Sequence, residues 1–104
     1  MISAEVGARF GANLKRVRKG RGISQEELAF MSEIHRTEAG MLERGIRLPR
    51  IDTFVKLCGS LDAEPNDLLW GIVWMPGELT RGGLRAFDDE PPTPGGDVGV
   101  GSDD

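Results

Sequence analysis

The sequence has few of the residues on which enzymatic and metal chemistry depends. Its 104 residues include one cysteine and one histidine. A single cysteine excludes an internal disulfide and a cysteine metal cluster. The histidine, His35, has no partner nucleophile in a known pattern, and neither a phosphate-binding loop nor metal-ligand spacing occurs. We therefore expect a protein that is not an enzyme and that uses no metal and no cofactor.

Long hydrophobic runs are also missing. Hydrophobic residues make up 38% of the chain, and no run approaches the ~20 apolar residues that cross a bilayer. The first five residues lack a basic region followed by an apolar stretch, so we expect no signal peptide. The length and composition predict one small domain in the cytoplasm, without a membrane partner.

The formal net charge of −4 is unusual for a protein that binds nucleic acid, but the charge is unevenly distributed. Residues 1–74 contain 11 Lys and Arg against 10 Asp and Glu, whereas residues 75–104 contain 2 against 7. The acidity therefore belongs to the C-terminal part. Cations cluster in residues 9–21 and again in residues 36–50. Because local charge sets the attraction to phosphates, a basic binding face remains available.

One stretch predicts two short helices joined by a tight turn. Ser24 and Glu27 form a capping box at the start of the first helix. The second helix opens at about Arg36 and ends at Gly45, a C′ glycine, and Pro49 blocks any continuation. Two short helices with such a turn are typical of the helix-turn-helix motif, whose second helix can enter the major groove of DNA.

The same stretch carries a family resemblance. The segment S-Q-E-E-L-A that begins at Ser24, followed by E-R-G at residues 43–45 and then Pro49, resembles the signature of the Xre family, the lambda-repressor and Cro type. The resemblance extends from about Phe10 to about Ile72. It implies an all-α, five-helix lambda-repressor-like DNA-binding domain, which we assign to residues 1–71.

Two positions depart from the family pattern. The family usually has glycine in the turn, where Glu33 stands, and glutamate tolerates a left-handed backbone poorly. It also tends to have serine where Gly40 stands, inside the second helix, and glycine there costs about 0.5–1 kcal/mol. We expect these departures to affect the local turn rather than the fold.

Apolar periodicity predicts the other helices and a common core. A first helix over about residues 7–19, a fourth over about 51–61 and a fifth after Pro65 each present apolar residues toward one side. We expect one buried cluster that contains Leu14, Leu42, Phe54, Leu57 and Leu61. Cys58 falls in the fourth-helix stripe, where we expect a buried, unreactive thiol.

The C-terminal part changes character. Residues 72–74 and 84–87 favour strands, with glycines between them, so we predict a small β-hairpin over residues 72–87. We expect Trp74 and Phe87 to pack against the helices or to form a dimer contact, and this segment could also bind a protein partner. Residues 88–104 are rich in Pro, Gly and Asp and predict a disordered acidic tail. A functional alternative is that the tail competes with DNA for the basic face.

The resemblance also implies which residues contact double-stranded DNA. We expect Gln25 to contact phosphate and to brace the second helix, here called the recognition helix. Arg47 and Arg50 follow that helix and are expected to contact phosphates. His35 could cap the recognition helix, touch a phosphate or lie exposed. The full set of expected contact residues is Gln25, His35, Arg36, Thr37, Glu38, Met41, Arg47 and Arg50.

The residue types at the start of the recognition helix suit base recognition. Arg36 fits guanine O6 and N7, Glu38 fits the cytosine N4 amino group, and Thr37 can meet a thymine methyl group. The resemblance implies a different role for Arg18, which in the family pairs with the glutamate of E-R-G, here Glu43. We expect that pair to fix the orientation of two helices.

Two classes of function remain open. The first is a sequence-specific transcriptional regulator, expected to be a repressor that binds a two-fold-symmetric operator as a homodimer. An antitoxin or a controller protein would use the same domain. The second class is a protein-interaction module that retains the fold without binding DNA, for which the acidic tail and Glu33 are the support.

Overall fold

The computed structural model describes residues 4–77 and 81–87, so the predicted tail over residues 88–104 lies outside the described residues. Within them, five helices precede a two-stranded antiparallel sheet. The fold class predicted from the sequence is confirmed. The elements are α1 (Ala4–Gly20), α2 (Gln25–Ser32), α3 (Arg36–Glu43), α4 (Ile51–Leu61), α5 (Pro65–Leu69), β1 (Ile72–Met75) and β2 (Gly83–Ala86).

The predicted core forms as one cluster. The five residues expected to be buried together all belong to it. Phe10 of α1 lies against Phe54 of α4 with ring centroids 6.2 Å apart. The complete cluster is Phe10, Leu14, Val17, Leu28, Leu42, Phe54, Leu57, Leu61 and Leu68. Burial of apolar surface from all five helices is therefore what holds the domain together.

One buried polar side chain links the first helix to the last. Asn13 is fully buried, and its Nδ2 donates to the carbonyl oxygens of Leu68 and Trp70, each at 2.9 Å. These bonds satisfy carbonyl groups at the end of α5 that have no partner within the helix. Sequence periodicity gave no indication of this contact, because it joins residues more than fifty positions apart.

The turn between α2 and α3 keeps the geometry that favours glycine. Glu33 lies in the left-handed region, with φ 54° and ψ 46°. Its backbone N–H donates to Phe30 O at 3.2 Å, and Ile34 N–H donates to Ala29 O at 3.0 Å. The predicted capping box at the other end of α2 is confirmed, because both of its hydrogen bonds are present. The turn sets the direction in which α3 leaves α2, and the cap fixes where α2 begins.

The predicted hairpin is also present, with Trp74 opposite Leu84 and Ile72 opposite Ala86. Trp74 and Phe87 are 60% and 43% exposed, so the expectation that they pack against the helices is wrong for the single chain. Ile72 packs against the core, whereas Trp74, two residues further along β1, is not among the residues that pack against it. The alternative of a dimer contact for Trp74 and Phe87 stays a prediction.

No helix in residues 4–77 and 81–87 has the length and apolar character needed to cross a membrane. The same residues contain no group of three or more His, Cys, Asp or Glu side chains that could hold a metal ion.

Candidate nucleic-acid interface

Helix α3 is fixed by its inner face and presents its outer face to solvent. Ala39 and Leu42 are fully buried, as the sequence predicted. Gly11 of α1 allows the close approach of the two helices, because a Cβ atom there would lie 2.5 Å from Glu43 O. Helix α3 therefore packs directly against α1, and this close packing restricts movement of α3 relative to α1.

The predicted base-contacting residues lie on the outer face of α3. Arg36 and Thr37 are exposed, and Glu38 and Met41 are half-buried. Arg44 continues this face, since positions 37, 41 and 44 follow the helical spacing. It is exposed, and its Nη1 would lie 3.1 Å from a Cβ atom added at Gly40. Arg44 is not among the contact residues expected from the family resemblance, although its helical spacing could have identified it.

The only histidine caps the recognition helix. His35 is the N-cap residue of α3, and its Nδ1 accepts the backbone N–H of Thr37 at 3.1 Å. Of the three possibilities considered for His35, the structure shows the cap and also the exposure. This acceptor role requires an imidazole without a proton on Nδ1. Its contact with phosphate stays a prediction.

A network around Glu43 holds the end of α3 against the other two helices. Arg18 donates to Glu43 through Nε at 2.6 Å and Nη2 at 3.1 Å, which confirms the predicted pair. Arg18 Nη1 also donates to Ile23 O at 2.8 Å. The hydrogen bonds to Glu43 raise the pKa of Arg18, which keeps its charge. Gln25 Nε2 donates to Glu43 Oε1 at 3.0 Å, so Gln25 braces the recognition helix.

Four arginines in residues 9–21, the tethering arginines, are engaged within the chain. Arg21 donates to Leu61 O at 2.6 Å and Asp62 O at 2.8 Å. Arg16 donates to Asp67 O at 3.3 Å, and burial followed by the charge of Arg9 lowers its pKa. The group consists of Arg9, Arg16, Arg18 and Arg21. These four arginines thus tether α1 to other segments of the chain, whereas Lys15 and Lys19 of the same stretch are exposed.

Arg9 connects the helices to the hairpin. Its guanidinium group lies over the Trp70 ring, 5.2 Å from the centroid, and its Nη1 donates to Phe87 O at 3.3 Å. Phe87 N–H in turn donates to Gly71 O at 2.8 Å. A two-stranded hairpin is only marginally stable alone, so these contacts position it.

A second group, the recognition-side arginines, consists of Arg36, Arg44, Arg47 and Arg50. Three of them lie beside exposed or half-buried carboxylates. Arg36 Nη1 is 2.8 Å from Glu26 Oε2, Arg47 Nη1 is 3.8 Å from Glu38 Oε1, and Arg50 Nε is 3.5 Å from Asp52 Oδ1. Their side chains remain 71%, 52% and 87% exposed respectively. Such pairs are weak in water and can exchange for contacts with phosphates or bases.

Cys58 fits the expectation of an unreactive thiol. It is half-buried against the core rather than fully enclosed. Burial raises the pKa of the Cys58 thiol, and the nearby carboxylates of Asp67 and Glu64 raise it further. A raised pKa lowers the fraction of thiolate, the nucleophilic form.

Comparison with known proteins agrees with this geometry. Residues 14–68 match the helix-turn-helix family model HTH_3. The control protein C.BamHI of Bacillus amyloliquefaciens is 38% identical over 61 residues, which are 58% of this chain and 75% of that protein.

Solved structures give the same picture. The restriction-modification controller protein C.AhdI from Aeromonas hydrophila is similar with a TM-score of 0.58 and 40% identity, over 60% of this chain and 94% of that one. The clp gene regulator ClgR from Corynebacterium glutamicum gives a TM-score of 0.59 and 28% identity, over 62% of this chain and 68% of that one.

Proposed function

The chain belongs to the helix-turn-helix family HTH_3, whose members are DNA-binding transcriptional regulators, and from this premise we propose that it represses transcription as a homodimer on a two-fold-symmetric operator. The observation that carries the proposal is the outer face of α3. Arg36, Thr37, Glu38 and Met41 lie there, above an inner face that is locked into the core. A rigid helix with polar side chains on its outer face suits insertion into a major groove.

Contacts on either side of α3 complete the proposed interface. Arg47 and Arg50 follow the helix and are exposed, which suits phosphate contacts that set the register on the duplex. Gln25 already uses one N–H of its amide to brace α3, and the second N–H is the donor we assign to a phosphate. The proposed site of action is the cytoplasm, where the operator is accessible.

Exposed apolar residues support the homodimer. Ile51, Val55 and Leu69 are 77%, 62% and 42% exposed and lie on the neighbouring helices α4 and α5. Apolar side chains grouped on a surface commonly mark a protein interface. Two domains are also needed to bury enough surface for tight and specific binding to an operator.

Among the regulators that share this domain, we favour a controller protein of a restriction-modification system over an antitoxin. The support is the identity of 38% with the control protein C.BamHI and of 40% with the restriction-modification controller protein C.AhdI, against 28% with the clp gene regulator. A protein-interaction module without DNA binding is the remaining alternative. The exposed Trp74 and Leu84 of the hairpin would be its contact surface, and the hairpin is also where a protein partner of the regulator would bind.

The proposal is tested by selecting bound sequences from a random DNA pool with the 104-residue chain. The selected and a scrambled duplex are then titrated with wild type and with Arg36→Ala. We expect the substitution to cost about 1–3 kcal/mol on the selected duplex and little on the scrambled one. A wild-type chain that binds neither duplex at low salt would leave the interaction module as the function.

The two-fold symmetry is read from the same selection. A homodimer requires two inverted half-sites with centres about 34 Å apart, roughly one turn of the duplex. Sedimentation of the protein with and without the selected duplex gives the number of chains bound. Recovery of a single asymmetric half-site, bound by one chain, would contradict the dimer.

A further inference from the structure

The first turn of α2 contacts both ends of the recognition helix. Gln25 reaches the C-terminal end through Glu43, with Nε2 and Oε1 3.0 Å apart. Its neighbour Glu26 reaches the N-terminal end, where Glu26 Oε2 accepts from Arg36 Nη1 at 2.8 Å. The Gln25 contact is partly buried, whereas the Glu26 contact lies in solvent, at the edge of the proposed DNA surface.

The Glu26–Arg36 pair is poorly explained as a stabilising contact. The Glu26 and Arg36 side chains are 70% and 71% exposed respectively. Exposed ion pairs contribute little to folding. A carboxylate at this edge would also repel the phosphates of an approaching duplex. The Glu26 carboxylate is better explained by an effect on DNA recognition by Arg36 than by an effect on the stability of the domain.

The geometry leaves the recognition edge of Arg36 available. A guanidinium group carries five N–H donors in a planar fork. Glu26 contacts Nη1 only, so the parallel donors of Nε and Nη2 can still point at two acceptors. Guanine presents such a pair, O6 and N7, in the major groove. A side chain that is already held in one orientation loses less rotamer entropy when it forms those bonds.

We propose that Glu26 is a positioning residue, which orients the Arg36 guanidinium for bidentate recognition of guanine. This inference rests on the proposed function and adds a determinant of specificity outside the recognition helix. Loss of Glu26 then has two opposite effects. Binding to any DNA is helped by the loss of a negative charge, while discrimination in favour of guanine at one position is weakened.

The test uses the 104-residue chain and the selected duplex, with each base pair replaced in turn. The position at which Arg36→Ala abolishes discrimination identifies the base pair that Arg36 contacts, with an expected loss of about 5- to 150-fold. At that position we expect Glu26→Gln and Glu26→Ala to reduce discrimination about two- to fivefold. Affinity for the scrambled duplex should stay equal or increase.

Asp62→Asn is the matched control, because it removes one exposed carboxylate at the C-cap of α4, away from Arg36. It should leave discrimination at every position unchanged. The double variant Glu26→Ala/Arg36→Ala should discriminate no worse than Arg36→Ala alone, because Glu26 acts through Arg36.

Unchanged discrimination in both Glu26 variants, with specific binding by wild type intact, would overturn the inference and leave the proposed function standing. Additive losses in the double variant would also overturn it. Absence of specific binding by wild type would instead remove the proposed function, and this inference with it.

Discussion

The tethering arginines and the recognition-side arginines differ in what holds their guanidinium groups. Arg16 and Arg21 donate to backbone carbonyl oxygens 40 or more residues away in the chain. Arg36 and Arg50 instead lie beside carboxylates of nearby residues and are more than 70% exposed. The first group is satisfied within the folded chain, whereas the second can exchange its partners for DNA.

This difference shows that clusters of basic residues in a sequence do not by themselves define a nucleic-acid surface. Residues 9–21 contain four arginines and two lysines, and residues 36–50 also contain four arginines. Their roles separate only when the partner and the exposure of each side chain are known. The tethering arginines have donors engaged by groups of the folded chain, whereas the exposed recognition-side arginines can exchange weak carboxylate contacts for DNA.

The largest expected effect is on stability, from Arg18→Ala. The Glu43 side chain is 2% exposed, so the substitution leaves a buried carboxylate without its main partner. We expect a loss of about 3–5 kcal/mol in the free energy of unfolding, measured by chemical denaturation. A loss below about 1 kcal/mol would place Arg18 with the recognition-side group instead.

A smaller loss is expected for Arg21→Ala. Its two bonds join the end of α1 to the end of α4, but the residue is exposed, so water can replace them. We expect a loss of about 1 kcal/mol in chemical denaturation. DNA affinity measured at equal folded fraction should not change, and a weaker affinity there would mean that Arg21 also contacts phosphate.

The salt dependence of DNA binding separates the two groups most directly. Arg47→Ala should reduce the slope of log affinity against log salt by about one, on specific and scrambled DNA alike. Lys19→Ala is the comparison, since Lys19 is exposed at the end of α1 and not on α3. An equal reduction from both variants would extend the DNA surface to α1 and weaken the distinction.

The smallest effect is expected for the stability of Arg36→Ala. Its pair with Glu26 lies in solvent, so the free energy of unfolding should change by less than about 0.5 kcal/mol. Thermal and chemical denaturation of the same samples used for DNA binding provide the measurement. A loss of about 2 kcal/mol or more would show that the pair stabilises the fold. A weaker DNA affinity of Arg36→Ala could then result from unfolding rather than from a lost base contact.

Much of the helical domain was predictable because its signals are local. Ser24 and Glu27 lie three residues apart and specify the start of α2 wherever the helix sits. The stripe that contains Phe54, Leu57 and Leu61 indicates one buried face without naming its partners. The Arg18–Glu43 pair was predicted from the family resemblance, and the structure confirms it with two hydrogen bonds.

The contact surface was predictable in part. The family resemblance implied that Arg36, Thr37, Glu38 and Met41 face the major groove. In the structure Arg36 and Thr37 are exposed, whereas Glu38 and Met41 are half-buried. The sequence did not indicate that Arg36 is paired with Glu26, a residue of another helix. Contact with DNA remains a prediction for all of the contact residues expected from the sequence.

The sequence by itself determined that five helices form, roughly where they lie and which of their faces are apolar, because caps, turns and periodicity act within a few residues. The exception is the start of α1, which is at Ala4 rather than at about residue 7. The tertiary structure alone decided which cations are tethered and which are exposed. It also decided that Asn13 joins α1 to α5 and that Trp74 remains exposed. These outcomes depend on which distant backbone groups come within hydrogen-bonding distance, and only the packed arrangement of the helices sets those distances.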